Sequence, residues 1–264
     1  MHTGLDTIAA NKYLLLALVI CAAINLLSNL VGHDAAVLTG NLLYIPVAGT
    51  FLIMSILTVS RFGTSGNIGL AWVSFACYAV SWFIAEMLWV VEEVYLKTDP
   101  FPSAADIFYV MGYPFLLMFF LAYLQPVRGA ITKKMLVTAT SFAIGILIPS
   151  LYVVFTLDEN TDLLQSTLLV TYPVFDAVII VPALLGVTLF FKGQVNFTWT
   201  LICIGTILLF IADTAFLFEQ NDASYYTGNP MEILFYWNYI LLTFGMYGHM
   251  KLFQRPRQDS TQYR

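Results

Sequence analysis

The chain has 264 residues, of which 59% are hydrophobic and 10% charged. A soluble domain carries about 25% charge, and one globular core cannot hide this much apolar surface, so the solvent must be lipid. The net charge of −5 excludes little by itself, because what matters is where the charges fall.

Eight apolar runs are long enough to cross about 30 Å of hydrocarbon at about 1.5 Å per residue. They lie near 11–31, 41–60, 67–96, 104–125, 131–156, 162–191, 197–220 and 231–252. The first run is too long for a signal h-region and lacks a clear small-x-small site, so no cleavable leader is expected. The breaks carry turn chemistry: GHDAAVLTGN, RFGTSGN, TDPFPSAAD, QPVRGAITKK, DENTD, KGQVN and NDASYYTGNP. Cys21, Cys77 and Cys203 all lie inside apolar runs and read as small buried hydrophobes. The fold expected is all-α, one integral membrane domain over 1–264, an eight-helix bundle of repeated hairpins.

Lysine and arginine set the orientation. With the N-terminus in the cytoplasm, 10 of the 11 basic residues fall inside and only Lys97 falls outside, as the positive-inside rule asks. Both termini are then cytoplasmic, in a multi-pass protein of the cell membrane. Of the 16 acids, only Asp6 and Asp259 lie in cytoplasmic segments. The outer face is therefore acidic. That is either a by-product of topology or a vestibule that attracts cations.

The even-numbered spans share a spacing. Asp106 precedes Tyr113 by seven, Gln165 precedes Tyr172 by seven, and Glu232 precedes Tyr239 by seven. Seven residues turn a helix by about 700°, so each pair shares a face. Pro114 and Pro173 follow two of these tyrosines and should free backbone carbonyls near the same level. In the odd-numbered spans Glu86 precedes Glu93 by seven, and Asp213 precedes Gln220 by seven. The spans thus pair as 3–4, 5–6 and 7–8, with 1–2 as a diverged fourth pair, in parallel repeats whose equivalent faces converge on one centre.

Asp106 and Glu232 stand three residues after Ser103 and Asn229, the spacing of a capping box, and capping alone would account for them. Glu86, Asp176 and Asp213 lie within spans, away from any helix start. Glu86 and Asp213 fall roughly 10 Å below their helix ends, and Asp176 falls near the midplane. An acid in hydrocarbon costs at least about 2.5–3.5 kcal/mol and usually faces the bundle interior or a wet cavity. The alternatives are a structural acid held across helices or a cluster that binds a cation, a proton or a polar ligand. Tyr172, four residues before Asp176, shares its face.

Other chemistries find little support. The three histidines, His2, His33 and His249, are too far apart in the threading for a zinc site. No nucleophile elbow or phosphate loop appears, and no mid-membrane lysine in the last span could carry retinal. No cofactor is expected.

The segments PSAADIFYVMGYPFLL, TYPVFDAVIIVPALL, IADTAFLFEQ and YYTGNPMEILFYWNYIL together resemble a multi-pass membrane sensory module. It is the module found N-terminal to bacterial GGDEF/EAL and histidine-kinase output domains. The similarity covers roughly residues 80–250. It implies a sensory role and maps recurrent acids onto Asp106, Asp176 and Asp213. Here only a short polar segment follows the last span, so no output domain is expected.

The function expected is binding of a small ligand or cation from outside. Glu86, Asp176 and Asp213 carry it, with Tyr113, Tyr172, Tyr239, Asp106 and Glu232 alongside. The form is a sensory module or a subunit of a membrane complex. A cation- or proton-coupled transporter is the alternative, followed by a carboxylate hydrolase and by a purely structural subunit. The partners to look for are the bilayer, a membrane or cytoplasmic signalling protein and a second copy of the chain, not nucleic acid.

Overall fold

In the computed structural model, which describes residues 2–155, 162–190 and 196–252, every regular element among the described residues is helical. In chain order they are α1 (His2–Val31), α2 (His33–Phe62), α3 (Gly66–Val90), α4 (Ala104–Leu124), α5 (Lys133–Phe155), α6 (Leu163–Phe190), α7 (Asn196–Asn221) and α8 (Ile233–Leu252). Within the described residues, seven segments are long and apolar enough to cross a membrane, one in each of α1 to α7. α8 is not among them. Its 20 residues include Asn238 and His249, and both are buried in the bundle rather than turned to the outside.

One boundary differs from the sequence reading. GHDAAVLTGN was expected to be a break over 32–41, but α2 begins at His33 and only Gly32 interrupts the chain, at φ 142°. Ala35, Ala36, Val37 and Leu38 propagate a helix readily enough for one glycine to make the turn. Gly40, which looked like a breaker, instead permits a close approach. A Cβ at Gly40 would come within 2.6 Å of the Gly228 Cα.

The packing builds a ring. α2, α3, α4, α6, α7 and α8 each touch the next, and α8 closes back onto α2. α1 lies outside the ring against α2 and α8, and α5 lies outside against α6 and α7. The two outer helices are rich in exposed apolar side chains: Leu15, Leu27, Leu30, Val137 and Ile148 are between 60% and 83% exposed. Water does not tolerate such a surface over this length; a bilayer does, because helices satisfy their own backbone groups.

Inside the ring the two ends differ. At the end of the short 63–65 connection the centre is filled with rings. Tyr123 stacks on Trp199 at 4.2 Å between centroids, Phe75 meets Phe119 at 4.4 Å, and His249 meets Trp72 at 4.9 Å. Gly186 makes room for this packing, since a Cβ there would run into the Trp199 indole. At the other end, α3 finishes in a π-helical turn, Val91–Leu96, closed by Lys97 in the left-handed region at φ 55°. π turns are frequent at functional sites, and this end holds a cavity.

Candidate functional site

The cavity is about 60 Å³, room for a few waters at roughly 10–15 Å³ each. Four of its wall residues are carboxylates: Glu86 of α3, Asp106 of α4, Asp213 of α7 and Glu232, which ends the 3₁₀ turn before α8. The remaining walls are aromatic, among them Tyr44, Trp82, Trp89, Tyr109, Tyr172 and Tyr225. Among the described residues, no lysine or arginine lines it.

Each of the four acids accepts a hydrogen bond from a tyrosine on another helix. Tyr113 of α4 donates to Asp213 Oδ2 at 2.7 Å, and Tyr239 of α8 donates to Glu86 Oε1 at 2.6 Å. Tyr172 of α6 donates to Asp106 Oδ1 at 2.5 Å, and Tyr44 of α2 donates to Glu232 Oε2. The ring's six helices are therefore cross-tied through its polar centre. Satisfying a buried acceptor avoids a penalty of about 1–3 kcal/mol.

The four acids are not equally occupied. Asp106 accepts the Ser103 backbone N–H on Oδ2 at 2.7 Å, completing the capping box expected from sequence, and Tyr172 takes its other oxygen. Asn229 caps its turn as expected, accepting from the N–H groups of Met231 and Glu232. Glu232 does not return the bond to the cap, however. Its second oxygen accepts from the Tyr225 hydroxyl at 2.7 Å. The cavity, with two phenols nearby, holds this carboxylate instead of the helix end. Glu86 and Asp213 differ from both, since each accepts one close tyrosine bond, and their other neighbours are Tyr109 and Asp176 respectively.

Asp176 is not in the cavity wall. It lies on α6 beside Asp213 and Tyr113, and its Oδ2 is buried with no hydrogen-bond partner. Tyr172, one turn away, reaches Asp106 instead of the Asp176 that shares its helix face. Glu86, Asp106, Asp213, Glu232 and Tyr172 thus line the cavity, Tyr113 and Tyr239 brace two of the acids, and Asp176 stands behind Asp213.

Sequence reasoning missed Tyr44, the aromatic wall and the loop. Tyr44 carried a signal in Pro46, two residues on, but Val37 stands seven residues before it where the other even helices but one have an acid. Trp82 is seated by α4: its Nε1 donates to the Tyr109 carbonyl at 3.1 Å, and Gly112 leaves space for its ring. Tyr225 belongs to the loop 222–229, which is tied down at several points. Asn25 and Asn29 of α1 both donate to the Gly228 carbonyl, at 2.9 and 2.7 Å, and Trp89 Nε1 donates to Thr227 Oγ1 at 3.0 Å.

A larger basin of about 780 Å³ lies beyond the cavity, with Asp34, Glu93 and Asp99 in its walls along with Lys97. Gln165 and Gln220, the neutral members of the seven-residue pattern, line it too. Tyr225 is common to basin and cavity. Glu93 is held by Asn41 Nδ2 at 2.7 Å. Burial raises the Tyr225 phenol well above its ordinary value, so it remains a hydrogen-bond donor between the two spaces. Comparison of the chain with protein-family models, curated proteins and solved structures gives no match in any of the three.

Proposed function

We propose that this is a polytopic protein of the cell membrane that binds a small ligand or cation from its outer side through the carboxylate–tyrosine cluster. It would act as a sensory module or as a subunit of a membrane complex. The observation that carries this is the cavity itself, with four carboxylates and, among the described residues, no basic side chain in its wall, inside an apolar bundle. When ionised, such a centre takes its counter-charge from solvent or a ligand. The charge distribution supports eight spans with both termini in the cytoplasm, which puts the acidic basin on the outer side.

The tyrosine bonds support an internal repeat. α2 to α8 and α6 to α4 are one kind of bond, and α4 to α7 and α8 to α3 are the other. A shift of four helices converts each member of a pair into its mate. That favours two four-helix halves, each made of two of the hairpins read from the sequence. Trp72 and Trp199 stand in matching places near the starts of α3 and α7. Such parallel halves also occur in transporters, and this keeps the cation-coupled transporter as the second reading. The aromatic packing beyond the cavity weighs against an open path in this conformation.

The test is a melting-temperature panel on purified protein in detergent, wild type beside Asp213→Asn, across monovalent and divalent cations and small polar ligands. A ligand specific to the folded state stabilises it by RT ln(1 + [L]/Kd), about 2.7 kcal/mol at a hundredfold excess. A saturable rise in the wild type that Asp213→Asn abolishes supports the site. A panel with no response in the wild type overturns it. Flux of the stabilising species into proteoliposomes, dependent on Asp213, would favour the transporter.

A further inference from the structure

We propose that the ligand is a compact organic ammonium ion, a small primary amine, held by Glu86 and Asp213 and faced by the indoles of Trp82 and Trp89. This rests on the cavity being a cation site and goes on to name the cation's chemistry.

Charge excludes an anion, since acids and no bases line the space. The placement of the acids argues against a bare metal ion. Among the described residues no three histidine, cysteine, aspartate or glutamate side chains converge as a metal shell. Each wall carboxylate is tied to a tyrosine of a different helix, whereas a hard cation demands several oxygens at about 2–2.6 Å. What surrounds the space instead is π surface. Trp82, Trp89, Tyr109 and Phe216 share the wall with the acids, and the faces of such rings attract an organic cation at up to about 6 Å from the centroid. Their arrangement is held within the protein. Trp82 meets Tyr109 edge-on at 5.2 Å, and Trp89 meets Phe216 at 6.3 Å.

Occupancy of the oxygens selects the residues. Asp106 and Glu232 have both oxygens engaged by protein donors. Glu86 and Asp213 each accept a single close tyrosine bond, with Tyr109 also near Glu86 and Asp176 beside Asp213. An ammonium N–H donor therefore finds its partners on α3 and α7. Independently, the buried Asp176 Oδ2 beside Asp213 has no donor. A positive charge at Asp213 offsets that second carboxylate. The volume of about 60 Å³ limits the guest to a few heavy atoms. The basin supplies an approach lined by Asp34, Glu93 and Asp99, which raises the local concentration of cations.

The experiment is titration of full-length protein in nanodiscs, read by melting temperature and tryptophan fluorescence. The probes are ammonium, methylamine, ethylamine, tetramethylammonium, sodium, potassium, magnesium and calcium chlorides. Methylamine or ethylamine is expected to bind saturably and to change indole emission, with tetramethylammonium weaker because it lacks N–H donors and is bulkier. Glu86→Gln is expected to weaken the amine at least tenfold. Trp89→Phe keeps a ring in place and is expected to weaken it only severalfold. Should Trp89→Phe fail to fold, Trp82→Phe gives the same reading from the opposite indole. Binding of a metal ion with no response to any amine overturns the ammonium assignment while leaving the cation site standing. Amine binding that Glu86→Gln leaves unchanged overturns the assignment of residues. No binding by any probe overturns this inference along with the cation-site reading beneath it.

Discussion

The two ends of the ring interior are built from the same kinds of side chain and do opposite things with them. Around Trp72, Trp199 and His249 the aromatics meet one another at 4.2–6.0 Å and fill the space. Around Glu86 and Asp213 the aromatics stand back from a cavity, and the tyrosines turn their hydroxyls to carboxylates. Packing holds the first region and hydrogen bonding the second. In lipid, where apolar side chains gain nothing by leaving water, these are the two main forces left to associate helices. An aromatic can therefore be structural or ligand-facing according to whether its neighbour is a ring or an acid.

The sharpest way to break the comparison is at the filled end. Trp199→Ala should cost about 3–5 kcal/mol through the void it leaves, seen as a large fall in melting temperature, while any cation response of the surviving fold stays. Gly112→Ala comes next. The new methyl would strike the Trp82 indole and cost about 1–3 kcal/mol by overpacking. Because Trp82 is a cavity wall, this variant should also weaken ligand binding by titration. Tyr113→Phe removes the donor to Asp213 and should cost about 1–3 kcal/mol, again with a change in ligand response. The smallest effect on stability should come from Asp176→Asn. It retains the shape, leaves the fold within about 1 kcal/mol of wild type, and reduces the gain on adding ligand. A pattern in which aromatic-end and acid-end variants alter ligand response equally would erase the distinction.

The elements were legible because lipid imposes a simple rule on the sequence, a long apolar run between polar breaks. The rule failed at GHDAAVLTGN, where two glycines looked like one loop. Gly32 turns the chain, while Gly40 sits inside a helix to admit Gly228. It also marked α8 as an eighth run, whereas seven segments among the described residues are long and apolar enough to cross a membrane and α8 buries its polar Asn238 and His249 against other helices. The acids stood out singly, since a carboxylate in an apolar run is costly wherever it points. The seven-residue spacing brought out Tyr113, Tyr172 and Tyr239. Their partners were not legible. Spacing along one helix suggested Tyr172 with Asp176, whereas the bond runs to Asp106 on α4, because helix packing sets it. Trp82, Trp89 and Tyr109 were hidden for a different reason. In a membrane helix an aromatic facing a cavity and one facing lipid have the same sequence signature.

Asn25 and Asn29 give the site a mechanical property. They belong to α1, an outer helix with much of its surface exposed, and they grip the Gly228 carbonyl of the loop that carries Tyr225. A lateral push or tilt of α1 is therefore delivered to a wall of the cavity through three residues of chain. The innermost part of the protein is fastened to one of its outermost, so whatever presses on α1, a lipid or a neighbouring helix, works directly on the rim of the site.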